Sequence, residues 1–226
     1  MKKIFLLFVL TVFVFSCKKD DDTQTQPQTK VFISESAIDG IIINSSPRQV
    51  NDYYSGGQGK EITIGWDVNG FAMRGFISFN ASGIAPNSSN VLVIDEAVLR
   101  VYEANTNLQP FTGDGIRTVD CYLVDYKTLD ANDYDDQYWD KCGVIASTGF
   151  NVLTEHSLNV TTQLVSLIKA YPSTSQFQFR LEFSSDDNVV KSSMLTQAMW
   201  NIFSGDETGF ADYRPTLTIK YHFEKK

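Results

Sequence analysis

The stretch FQFRLEF, residues 177–183, alternates without a break. In an extended strand, successive side chains point to opposite faces. Phe177, Phe179, Leu181 and Phe183 therefore share one face, and Gln178, Arg180 and Glu182 share the other. A helix would scatter the same phenylalanines around its surface. The pattern recurs along the chain. KEITIGW puts Ile62, Ile64 and Trp66 on one face. RGFISFN reads as a strand that stops at ASGIAPNSSN. EAVLRVYE turns Ala97, Leu99 and Val101 inward, with Arg100 and Tyr102 outward. RTVDCYLVDY alternates again. TLTIKYHF sets Leu217, Ile219, Tyr221 and Phe223 inward, with Thr218, Lys220 and His222 outward. Only LNVTTQLVSLIKAYP has helical spacing, with Thr161 or Thr162 as N-cap and Pro172 past the end. Many short strands separated by Gly, Asn, Ser and Pro predict an all-β fold. The expected architecture is a two-sheet antiparallel β-sandwich, jelly-roll-like, with one short helix. TLDANDYDDQYWDKCG and GDETGFADYRP are expected as long loops.

The N-terminus is of another kind. Met1-Lys2-Lys3 is a positive head, and Ile4 to Phe15 is apolar except for Thr11. A bilayer span needs about 20 apolar residues, so this run suits a secretory signal core. Val14-Phe15-Ser16-Cys17 resembles the lipobox of bacterial lipoproteins, in which the signal is cut before a cysteine that then carries acyl chains. The resemblance implies a signal peptide over 1–16 and lipidation at Cys17. Each buried CH₂ of such a chain contributes about 0.8 kcal/mol, and more than one chain makes anchoring stable. Residues 18–30 are polar throughout and cannot bury apolar surface, so 17–30 is expected to be a disordered tether. Its acidic run, Asp20 to Asp22, resembles the export tag of lipoproteins displayed on the outer face of the outer membrane. The expected location is therefore the outer membrane, lipid-anchored and facing the exterior. The domain is expected over 31–226, long enough to bury a real core.

Charge and motifs exclude several functions. The chain carries net charge -8, and loss of Lys2 and Lys3 with the signal brings it to about -10. An acidic surface of this kind is unsuited to nucleic acid. The two histidines, His156 and His222, stand in no nucleophile or metal motif, and no enzymatic activity is expected. The acidic loop reads first as solvated. Its second reading is a structural Ca²⁺ site with Asp133, Asp135 and Asp136 as oxygen ligands, although the spacing is not that of an EF-hand. No other cofactor is implied. Cys121 and Cys142 are either bridged, as an exported compartment permits, or two buried free thiols.

Taken in order, the blocks resemble the DNRLRE-type (disaggregatase-related) domains. AIDGIII at 37–43 matches an opening A-x-D strand. SGG with ITIG matches a glycine turn and its strand. RGFISFNASGIAP, AVLRVY and NVTTQLV follow in the family's order, with Asn80 and Asn159 where the family has Asp. RPTLTIKY from Arg214 to Tyr221 matches the closing block. FSGDET stands where members often carry a basic residue, which is absent here. The resemblance spans nearly all of 35–223. It implies a jelly-roll-like sandwich that binds polysaccharide at a cell surface.

Sugar recognition needs aromatic rings for the C–H face and polar groups for the hydroxyl rim. A uronic acid adds a carboxylate that an arginine fork can hold. The candidate ligand-binding residues are Arg100 and Arg180 as outward cations, then Lys220 and Arg74. Tyr102 and Tyr122 are the outward aromatics, and Trp139 and Trp200 lie in or near loops. Arg74 reads equally as structural, paired with an acid. The function expected is a surface-anchored, non-catalytic glycan-binding lipoprotein serving partner proteins of glycan uptake. A structural or adhesive surface protein without a sugar site is the alternative, and a polysaccharide-cleaving enzyme the third.

Overall fold

The computed structural model describes residues 25–51, 60–66, 69–105, 118–147, 153–184 and 198–226. The expected signal peptide, Cys17 and most of the expected tether lie outside them. Twelve strands occur among the described residues. They are β1 (Gln28–Ile33), β2 (Gly40–Ile43), β3 (Gln49–Asn51), β4 (Glu61–Trp66), β5 (Ala72–Asn80) and β6 (Asn90–Asn105). Then come β7 (Val119–Val124), β8 (Asp140–Ala146), β9 (Glu155–Asn159), β10 (Gln176–Phe183), β11 (Ala198–Phe203) and β12 (Thr216–Lys225). One α-helix, α1 (Thr161–Ala170), lies between β9 and β10.

All pairings among these strands are antiparallel. The sheet curls through the order β1-β12-β6-β11-β4-β5-β10-β7-β8, with β9 on β6 and β2, then β3, beside β5. Few neighbours in that order are neighbours in sequence, so the two ends of the described chain meet: Gln28 lies opposite Tyr221. The all-β expectation with a single short helix matches this architecture. β1 begins at Gln28, three residues inside the stretch expected as tether, and Thr25 already donates its N–H to Phe223 O at 2.9 Å.

The alternating pattern correctly gives the core face of β10. Phe177, Phe179, Leu181 and Phe183 are all buried. Phe79 meets Phe179 edge-on at 6.0 Å, and Trp66 meets Phe183 at 5.0 Å. Each such ring removed from water contributes about 1.5–3 kcal/mol. The polar face of β10 departs from expectation, because Gln178, Arg180 and Glu182 are buried too. The loop after β7 lies across them.

Two local expectations need correction. In β12 the register shifts between Lys220 and Tyr221. The extra residue is Asp95 of β6, and it lies against His222, which is buried where exposure was expected, its Nδ1 3.0 Å from Asp95. Neither Thr161 nor Thr162 caps α1. Val160 holds the N-cap position. The Thr161 hydroxyl instead accepts from Ala97 N on β6 at 2.8 Å, and Asn159 Oδ1 accepts from Thr161 N at 3.0 Å. No helix among the described residues is long and apolar enough to cross a membrane.

Candidate functional site

β10 lies between β5 and β7, so Arg180 faces Phe76 on one side and Tyr122 on the other. Arg74 stands on β5 in the same layer. Both guanidiniums converge on one carboxylate: Arg74 Nε lies 2.8 Å and Arg180 Nε 3.0 Å from Glu182 Oε2. The three side chains are 5–10% exposed. Burying two cations requires a partner and further hydrogen bonds, and the loop over 125–139 supplies carbonyls. Arg180 Nη1 donates to Asp136 O at 2.8 Å, and Arg74 Nη1 donates to Tyr134 O. The Arg74 guanidinium also stacks on the Tyr134 ring at 4.0 Å. Arg180 and Arg74 are therefore not ligand-facing cations. They pin the loop to the sheet. The alternation of β10 gave the right face for Arg180 and no sign of the loop that covers it.

The pinned loop ends in an aromatic ledge. Tyr138, Trp139 and Tyr171 are 50%, 42% and 53% exposed. Tyr138 leans on Tyr122 with ring centroids 4.6 Å apart, and Trp139 meets Tyr171 at 5.2 Å, just past the end of α1. Trp139 N donates to Leu123 O at 2.7 Å, which fixes the backbone beneath the rings. Polar groups flank them. Lys141 Nζ lies 2.5 Å from Asp120 Oδ2, which also accepts from Tyr122 Oη at 3.1 Å. Burial, and then the Asp120 charge, raise the Tyr122 phenol far above its usual range. Gln163 Nε2 on α1 donates to Lys141 O at 3.3 Å. Exposed rings beside hydrogen-bonding groups can take a flat apolar surface with a polar rim.

The remaining candidates lie apart. Arg100 and Lys220 belong to β6 and β12, and four steps along the sheet order separate β6 from β10. No single strip joins Arg100, Lys220 and Arg180. Arg100 Nε lies 3.4 Å from Glu155 Oε1, while Tyr102 Oη donates to Glu155 Oε2 at 2.7 Å. That hydrogen bond is the main reason the Tyr102 phenol is raised. Lys220 is exposed and stands opposite Glu96 in the sheet register. Trp200 is no loop residue: it is fully buried in β11, edge-on to His156 at 5.4 Å. His156 in turn lies 3.5 Å from Glu103, whose carboxyl is raised by burial above all. Tyr122 was expected to face solvent and is covered by Tyr138.

In the acidic loop, Asp133 Oδ2 accepts from Asp130 N at 2.6 Å, and Asp130 Oδ1 accepts from Asn132 N at 2.7 Å. This capping box closes the turn Ala131–Tyr134. Burial pushes the Asp133 carboxyl up to about 6. Asp135 pairs with Arg48, and Asp136 lends its carbonyl to Arg180. No group of three or more His, Cys, Asp or Glu able to hold a metal occurs among the described residues. No disulfide joins Cys121 and Cys142 in this structure.

Sequence reasoning named Trp139 and Tyr122 but missed Tyr138, Tyr171, Lys141 and Asp120. For Tyr138 the signal was the YW pair at the end of an acidic loop. Tyr171 carried none, since only the packing of α1 brings it to Trp139. No protein-family model matches the chain, and no curated protein matches it.

Proposed function

We propose that the protein is a surface-anchored, non-catalytic glycan-binding lipoprotein whose sugar site is the Tyr138–Trp139–Tyr171 ledge. The observation that carries this reading is three large half-exposed rings, Tyr138 and Trp139 on the loop that the buried arginines pin and Tyr171 packed against Trp139. Stacking on sugar C–H faces uses such rings, and Lys141 with Gln163 offers polar groups to the hydroxyl rim. Asp120 and Glu182, the two carboxylates beside Tyr122, are each paired with cations. That favours binding over general acid–base chemistry. In this reading the curled sheet is two packed layers, a jelly-roll-like sandwich, and many displayed copies turn a weak site into avid capture.

The structural or adhesive alternative has one observation of its own. Val31 and Ile33 on the edge strand β1 are 56% and 46% exposed.

Affinity electrophoresis against neutral and acidic polysaccharides tests the proposal. One glycan class should retard the protein, and Trp139→Ala should weaken retention about tenfold or more, as losing an aromatic anchor does. Arg100→Ala should leave it unchanged. Retention that survives both Tyr138→Ala and Trp139→Ala would move the site elsewhere. No retention by any glycan, with the fold intact, would favour the adhesive reading.

A further inference from the structure

The β7–β8 pair holds two thiols from opposite strands. Cys121 stands opposite Gly143, and the ladder shifts register before Tyr122 meets Lys141. Cys142 is the extra residue of that bulge. Gly143 beside it adopts φ +135°, a conformation that side chains rarely tolerate. The bulge lets Cys142 pack against the same core that buries Cys121. Burial above all, and then the neighbouring Cys142 thiol, raise the Cys121 thiol well above its usual range. Cys121 is fully buried, whereas Cys142 is only half-buried.

We propose that Cys121 and Cys142 form a disulfide that fastens the edge strand β8 to β7 and closes the loop carrying Tyr138 and Trp139. The oxidant is a protein disulfide of the thiol-oxidase class, so the step in cells rests on the export reading above. Cys142, the accessible thiol, loses its proton and attacks one sulfur of that disulfide. The oxidant's S–S bond breaks, and a mixed disulfide forms. Cys121 then gives up its proton and displaces the oxidant's second thiolate from Cys142 Sγ. Two electrons pass to the oxidant, which leaves as a dithiol. The closed loop spans the whole segment that the buried arginines pin. A cross-link there removes freedom from the unfolded chain and from the loop alike.

The test uses the full chain, expressed with its leader and lysed into denaturant with N-ethylmaleimide and no reductant. Trypsin separates Cys121 from Cys142 by cutting at Lys127 and Lys141. The expected product is peptide 118–127 joined to 142–169, at 2 mass units below the sum of the two thiol peptides. Reduction should lower Tm by about 5–10 °C. It should also speed amide exchange over 125–139 while leaving β1 and β12 unchanged. Maleimide on both cysteines, in cells and after incubation of the folded protein with glutathione disulfide, would overturn the proposal. A bridge formed by glutathione disulfide but absent in cells would support the site and overturn the export reading instead.

Discussion

Glu182 shows how one carboxylate decides the use of two arginines. With it, Arg74 and Arg180 are neutralised and become fasteners. Without it, two buried guanidiniums lose the carboxylate they share. Glu182→Gln keeps the shape and removes the charge. It should cost about 3–5 kcal/mol, read as a lower urea midpoint, since breaking a buried pair strands the remaining charge. Asp39 is a second buried carboxylate with a structural task. Its Oδ1 accepts from Ser78 N at 2.8 Å and its Oδ2 from Gly205 N at 3.3 Å. Gly205 approaches so closely that an added Cβ would lie 2.5 Å from Ser34 O. Burial pushes the Asp39 carboxyl up to about 7. The folded state therefore binds this proton more tightly than the unfolded state, whose carboxyl titrates near 3.9. The stabilisation is complete below about pH 4 and is lost as pH rises to about 7, a change of about 4 kcal/mol. Asp39→Asn should abolish that slope. Urea midpoints at pH 4.5, 6 and 8 check it: the variant should gain on the parent as pH rises. A constant difference across pH would show that Asp39 does not titrate in this window.

Among the elements, α1 is tied to the sheet by a hydroxyl rather than capped by one. Thr161 Oγ1 takes the Ala97 N–H of β6, and Val160 N donates back to Ala97 O at 2.9 Å. Thr161→Val keeps the shape but leaves the Ala97 N–H unpaired, which should cost about 1–2 kcal/mol. Thr161→Ser should restore most of the loss, and thermal unfolding of the three proteins distinguishes the cases. Equal loss in the serine and valine variants would point to methyl packing instead. The loop over 125–139 is organised the same way, by tertiary polar contacts. Its capping box shapes one turn, Arg48 holds Asp135, and the buried arginines hold its carbonyls.

At the scale of the molecule, β1 pairs with β12 and covers the flank of the last strand. A chain begun at Val31 would lose the pairings of Gln28, Thr29 and Lys30 with Tyr221, Lys220 and Ile219. It would also lose the 3.1 Å bond from Tyr221 Oη to Gln28 Oε1. Compared with a chain begun at Thr25, it should be roughly 1–2 kcal/mol less stable. It should also self-associate more, because it bares a strand edge. Urea unfolding and light scattering read both effects. Equal behaviour of the two chains would show that 28–30 belongs to the tether after all.

The sequence by itself determined the local half of this protein. Period-two alternation fixed the strands and their core faces, because an inward residue must be apolar whichever strand lies beside it. Ile62, Ile64, Trp66, Ala97, Leu99, Val101 and the β10 phenylalanines were all legible in that way. Trp139 was legible as a loop aromatic. Only the tertiary structure decided what lies against the polar faces. The face bearing Arg180 and Glu182 read as solvent-facing, and a loop from another part of the chain covers it. Trp200 read as lying in or near a loop and is core, because AMWNIF has no alternation to place it. His222 is covered on its own face, where a bulge in β6 brings Asp95 against it. Tyr171 reaches Trp139 by the docking of α1. Alternation records the chemistry of a face, whereas burial depends on which distant segment arrives there, and that contact has no period in the sequence.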